Sequence, residues 1–166
     1  MEPHPKFKAG ECPGTYRVEC PITEHDLVHM AQYLCRQRLA QGQPLTSPSE
    51  VFVHLRTVLQ DYDHEVFAML LLDNRHRVIR FIELFRGTID MAAVYAREVV
   101  KAALVHNAAA VVLVHNHPSG CPEPSSADHH IHNRLKEALS TVDIRVLDHV
   151  IVGGEGQYSL AEHGQL

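Results

Sequence analysis

Seven consecutive apolar residues, AAAVVLV at 108–114, constrain this chain more than any other stretch. A run this short and this uniformly apolar is the kind of strand that lies inside a sheet covered on both faces. The neighbouring segments supply the covering layers. TEHDLVHMAQYLCRQRLAQG, residues 23–42, sets Leu27, Met30, Ala31, Leu34, Cys35 and Leu39 at helical spacing, with Thr23 able to cap its start and Gly42 its end. SPSEVFVHLRTVLQDY opens with Ser47 as N-cap, Pro48 at the first helical position and Glu50 closing a capping box, and its stripe is Val51, Leu55, Val58 and Leu59. EVFAMLLLD and VIRFIELF read as a hairpin over 66–85, with Asp73 and Asn74 able to bond their own backbone in the turn DNRH. MAAVYAREVVKAALVHNA is a helix with Ala92, Val99 and Ala103 inward, and SADHHIHNRLKEALSTV is another. IRVLDHVIVGG and QYSL close the chain as strands. The order helix, helix, strand, strand, helix, strand, helix, strand, strand makes an α/β mixture with a curved sheet between helices.

The 166 residues suggest one domain with a small appendage, divided as a leader and helix over 1–45 and a main domain over 46–166. Residues 1–22 are rich in Pro, Gly and charge and are expected to be loosely ordered. The formal charge of −5 and the lack of a Lys/Arg run argue against bulk attraction to nucleic acid. MEPHPKFKAGECPG has no apolar segment of the secretory kind, and the apolar runs are too short to cross a membrane. A cytoplasmic protein is therefore expected, with Cys12, Cys20, Cys35 and Cys121 as free thiols and a Cys12–Cys20 bridge or metal clip as the alternative. The helix at 24–41 offers a surface for homodimerisation, or equally for packing on its own domain.

The apolar run ends in HNHPSGCPEPSSAD, residues 115–128. His115 and His117 are two apart in extended chain, so their imidazoles point the same way and Asn116 points the other. Asp128 falls in the first turn of the next helix, and the loop Pro118–Pro124 can bring that turn back over the histidines. A catalytic zinc needs three protein ligands and an open position for water, and this set supplies three. The competing reading needs no metal: Ser125-x-x-Asp128 is also a capping box, and fourteen histidines make chance motifs common. His129, His130 and His132 follow Asp128; His132 can share its helix face, but the trio reads as exposed or supporting. Asp148-His149 offers a carboxylate to orient a ligand imidazole, or a sheet-edge pair.

The pattern H-x-H-x7-S-x2-D, formed by His115, His117, Ser125 and Asp128, resembles the signature of the JAMM, or MPN-plus, metalloprotease superfamily. The longer string REVVKAALVHNAAAVVLVHNHPSG, with DHVIVGG after it, is similar to the RadC family over residues 46–166. The resemblance implies a JAMM/MPN-like (cytidine-deaminase-like) mixed β-sheet flanked by helices, with Zn2+ held by His115, His117 and Asp128. It implies a glutamate ahead of a strand as general base, which matches Glu65, and Ser125 as the partner of the developing oxyanion. Spacing alone does not select Glu65, and Glu98 is its rival, with an ion pair to Lys101 as the plain reading of Glu98. Asn116 stands where many JAMM enzymes have Ser or Thr, as in RadC proteins. Cys121 lies in the motif loop, where a thiolate could occupy the open zinc position. Residues 1–45 show no glycine-turn pattern of the helix-hairpin-helix kind, so a short RadC-like protein is expected.

Three readings follow. The first is a zinc metallohydrolase cutting a peptide or isopeptide amide in an unidentified protein or peptide. The second is a DNA-repair-associated RadC-like protein; HNH here is not the nuclease motif, whose histidines are spread along a ββα-metal fold. The third is an MPN-type interaction module without turnover. Intact His115, His117, Asp128 and Ser125 with Glu65 favour the first.

Overall fold

The computed structural model describes residues 4–38, 48–87 and 94–166, with 48–50 described by their backbone alone. The elements are β1 (Phe7–Ala9), β2 (Tyr16–Val18), α1 (Glu24–Arg38), α2 (Pro48–Leu59), β3 (Val66–Leu72), β4 (Val78–Arg86), α3 (Ala96–Val105), β5 (Ala110–His117), α4 (Ser126–Ser140), β6 (Arg145–Gly153) and β7 (Gly156–Ser159). β3 to β7 form one mixed sheet in the order β4-β3-β5-β6-β7, so the apolar run is its middle strand. β5 pairs antiparallel with β3 and parallel with β6, and α4 makes the crossover that a parallel pair requires.

Alternation divides the core. Ala68, Leu70, Val112, Val114 and Val150 face α2, against Phe52, Leu55, Val58 and Leu59. Phe67, Met69, Leu71, Val111 and Leu113 face α3 and α4, against Val99, Ala103, Leu135 and Leu139. Both faces of β3 and β5 are thereby removed from water, which explains why neither strand shows polar alternation. The sheet flanked by helices is the fold that the motif's resemblance implies. The β3–β4 hairpin is also as read, and Asp73 Oδ1 accepts from the backbone N–H of Arg75 and Arg77 in its turn, at 2.8 and 2.9 Å. The expected caps at Gly42 and Ser47, the side chain of Glu50 and the inward Ala92 lie outside the described residues. No helix among the described residues is long and apolar enough to cross a membrane.

The N-terminal region departs from the loose order expected of it. β1 and β2 form an antiparallel ribbon. Thr23 and Asp26 make a reciprocal capping box at the start of α1, with bonds of 2.8 and 3.2 Å. Asp26 also meets Lys6 Nζ at 2.7 Å and His4 Nε2 at 3.0 Å. The hydrogen bond from Lys6 and that from the Thr23 backbone hold the Asp26 carboxyl well below the usual range. Charge thus ties the ribbon to α1, a link that hydrophobic periodicity does not reveal. α1 in turn packs on its own chain, where Arg36 donates to Tyr62 Oη at 3.0 Å and to Glu83 Oε1 at 2.7 Å.

Leu135 fixes α4, and therefore Asp128, to the sheet. Leu135→Ala is expected to cost about 2–5 kcal/mol in chemical denaturation, because a fully buried side chain is removed from a packed layer.

Candidate metal centre

The C-terminal end of β5 is buried yet polar, so its side chains must find partners within the protein. Asn116 turns to the α2 face and is 1% exposed. Its Oδ1 accepts from the Val66 backbone N–H at 2.7 Å, and its Nδ2 donates to the His64 carbonyl at 3.1 Å. The Asn116 amide thus continues the β3–β5 ladder by side chain and brackets Glu65. No sequence pattern marks this role; alternation shows only that Asn116 points away from the histidines.

His115 and His117 share the opposite face. Their Nε2 atoms approach to 3.0 Å. Asp128, in the first turn of α4, sets Oδ1 3.1 Å from His115 Nε2 and Oδ2 3.5 Å from His117 Nε2. Among the described residues these three are the one group of His, Cys, Asp or Glu side chains, three or more strong, whose ligand atoms converge. The ligand atoms of a tetrahedral zinc stand about 3.3 Å apart, given bonds of about 2.0–2.1 Å, so the spacing fits. The donor chemistry fits too. His117 Nδ1 is occupied by the Cys121 carbonyl at 2.8 Å, which holds the proton there and turns Nε2 toward the cluster. Cys121 serves through its backbone; its thiol is exposed and outside the cluster.

Both readings of Ser125-x-x-Asp128 hold at once. Ser125 is the N-cap of α4, its Oγ accepting from the Asp128 backbone N–H at 3.2 Å. The Ser125 backbone N–H and hydroxyl donate to Asp128 Oδ2 at 2.7 and 2.6 Å. The cap therefore aims the carboxylate, and Oδ1 is left toward His115. Burial pushes the Asp128 pKa up, but hydrogen bonds from His115, His117 and Ser125, with the charge of His115, hold it well below the usual carboxylate range. The hydrogen bond to Asp128 raises His117, against burial, and the Glu65 charge adds to the rise.

Glu65 immediately precedes β3. Glu65 stands two residues before Phe67, where the β3–β5 pairing ends at His115, and its charge acts on His117. Glu98 instead sits exposed on α3, 3.7 Å from Lys101, the plain ion pair expected of it. Around α4, His130 is exposed, whereas His132 is buried and stacked on His149 at 5.6 Å. Asp148 does not orient a ligand imidazole. It turns to the other face, where it accepts from Ser159 Oγ at 2.6 Å and the Ala161 N–H at 3.0 Å. Its neighbour His149 turns to the cluster side instead, with Nε2 2.9 Å from His115 Nδ1. β6 is not the edge strand either, since β7 lies outside it.

The motif loop rests on the end of β6. A Cβ on Gly153 would collide with the Gly120 carbonyl and stand 2.9 Å from Pro122 N, both backbone; one on Gly154 would meet only Gly120 Cα at 3.7 Å. Gly153→Ala is expected to lift the loop that carries Cys121 and weaken divalent-metal binding, with Gly154→Ala near wild type, as measured by zinc titration. A second expectation concerns protons. A metal needs neutral His117, whose raised pKa keeps its proton to higher pH than the ordinary value of about 6.5. Zinc affinity should therefore fall as pH drops below that raised value and level off above it, with proton release on binding measurable by calorimetry in two buffers.

The comparisons with known proteins agree with the motif. A family model described as RadC-like JAB domain matches residues 45–165. A UPF0758 protein of Vibrio cholerae serotype O1 is 54% identical over 143 residues, 86% of this chain and 90% of the relative. A UPF0758 protein of Marinobacter nauticus is 58% identical over 137 residues, 82% of this chain and 61% of the relative. One of Tolumonas auensis is 54% identical over 140 residues, 84% of this chain and 62% of the relative. The chain spans about three-fifths of the length of the latter two relatives.

Proposed function

Because this chain belongs to the RadC-like JAB-domain family, we propose that its His/His/Asp cluster is a zinc site and that the protein hydrolyses a peptide or isopeptide amide bond. The observation that carries the reading is the convergence of His115 Nε2, His117 Nε2 and an Asp128 oxygen, with the Nδ1 atoms of both imidazoles engaged elsewhere. Zinc, when bound, supplies a Lewis acid and lowers the pKa of water to about 7. Glu65 takes the proton of the attacking water and returns it to the leaving amine. Asn116 bonds on either side of Glu65 and restrains its backbone for that task. Ser125 donates its hydroxyl proton to the carbonyl oxygen as charge develops, which requires the hydroxyl to turn from Asp128 Oδ2. Four free cysteines suit a cytoplasmic setting.

A second reading, a DNA-repair-associated RadC-like protein or an interaction module without turnover, draws support from the comparisons. Family membership bears on it more directly than on hydrolysis, since the relatives' names state no reaction. The net charge of −5 weighs against its nucleic-acid form.

Elemental mass spectrometry on the untagged protein is expected to find about one zinc per chain, lost in His117→Ala. Glu65→Gln should keep the metal while lowering amide hydrolysis by roughly 10²–10⁴-fold. Metal-free wild type after zinc supply would sink the hydrolase reading, and tight DNA binding that weakens steeply with salt would favour the second.

A further inference from the structure

His149 is fully buried in β6 and takes no step in the proposed reaction. Its Nε2 stands 2.9 Å from His115 Nδ1. Among the described residues its ring makes no other hydrogen bond, and its Nδ1 has no partner. A space-filling residue at this place would be apolar, because a buried imidazole with an unmet nitrogen costs stability.

We infer that His149 is a positioning residue: its Nε2 accepts the His115 Nδ1–H and so fixes the tautomer and ring plane that leave His115 Nε2 open to a divalent cation. This rests on the zinc-site reading above. The proton count supports it. A neutral imidazole that binds metal through Nε2 carries its proton on Nδ1. The ring nitrogen facing that proton belongs to His149, so it must be the acceptor. The opposite tautomer, with His149 Nε2–H donating, places the His115 proton on Nε2. That proton would then lie among His117 and Asp128 and bar a cation. The two rings therefore form a pair with one metal-accepting state and one closed state.

The packing holds the pair in register. Phe67 stacks on His115 with ring centroids 6.0 Å apart and an interplanar angle of 12°, and meets His149 edge-on at 5.8 Å. His132, one turn beyond Asp128 on α4, stacks on His149 at 18°. His149 pairs with Leu113 across the parallel β5–β6 ladder, which sets its ring on the face that carries His115. Neither ring can swing aside without displacing an aromatic neighbour.

The test uses the full chain, zinc ions and a competing chelator. His149→Phe removes the acceptor and keeps an aromatic filler; His149→Gln restores an acceptor oxygen. The expected result is zinc affinity about 10–100-fold weaker in His149→Phe and largely recovered in His149→Gln. A wild-type affinity in His149→Phe, or equal losses in the two variants, would overturn the inference while leaving the zinc site intact. Should His149→Phe not fold, long-range 1H–15N NMR of the zinc-loaded wild type decides. A protonated Nδ1 and a coordinated Nε2 on His115 support the assignment, and coordination through Nδ1 overturns it. A wild type that takes no zinc overturns both this inference and the function it rests on.

Discussion

β5 is covered on both faces, yet its last three residues are His, Asn and His, and this mismatch organises the protein around it. Buried polar groups must be paired or the fold loses stability. Asn116 settles its share with the backbone on both sides of Glu65. His115 settles one nitrogen with His149, and His117 one with the Cys121 carbonyl. What is left is a pair of ring nitrogens and a carboxylate facing one another. Two imidazole lone pairs at 3.0 Å repel unless a proton or a cation lies between them. The strand thus satisfies every polar demand but one, and the exception has the shape of a ligand set.

A capping box is usually a local device, and the described residues contain two. Thr23 and Asp26 cap α1, and Ser125 and Asp128 cap α4. Both aspartates sit at the third helical position, and both carboxylates are turned to cations or to imidazoles. Asp26 faces Lys6 and His4, which makes it a tie for the N-terminal ribbon. Asp128 faces His115 and His117 from the other side of a rigid loop. The same four-residue pattern therefore yields a structural clasp in one place and a candidate metal ligand in another. The difference lies in what the sheet presents opposite the helix start.

This explains how far the sequence could be read. The run AAAVVLV and the spacing of His115, His117, Ser125 and Asp128 are local patterns, and they located the central strand and the cluster. Helix stripes such as Val99 and Ala103 were legible for the same reason, since burial follows period. The second layer of the site was not. Asp148 and His149 point to opposite faces, and the choice between them depends on the β5–β6 register, which shifts between Val111 and Val112. No local pattern encodes that shift. Glu65 likewise comes near the histidines only through the β3–β5 register, which pairs Phe67 with His115. The N-terminal ribbon escaped because strands of three residues held by ion pairs leave no hydrophobic period.

The order of the site side chains along the chain has an entropic meaning. Asp128 follows His115 by thirteen positions, joined by a Pro-rich loop, whereas Glu65 stands fifty-two positions before His117. Loop-closure entropy grows by about 0.6 kcal/mol per doubling of length, so bringing Glu65 to the cluster costs about 1.2 kcal/mol more than bringing Asp128 to it. The His/His/Asp triplet is therefore the less costly closure, contained in β5, the loop and the first turn of α4. Glu65 depends on the pairing of β3 with β5. The candidate cation-binding groups thus belong to one continuous segment of chain, and the proposed proton acceptor to another.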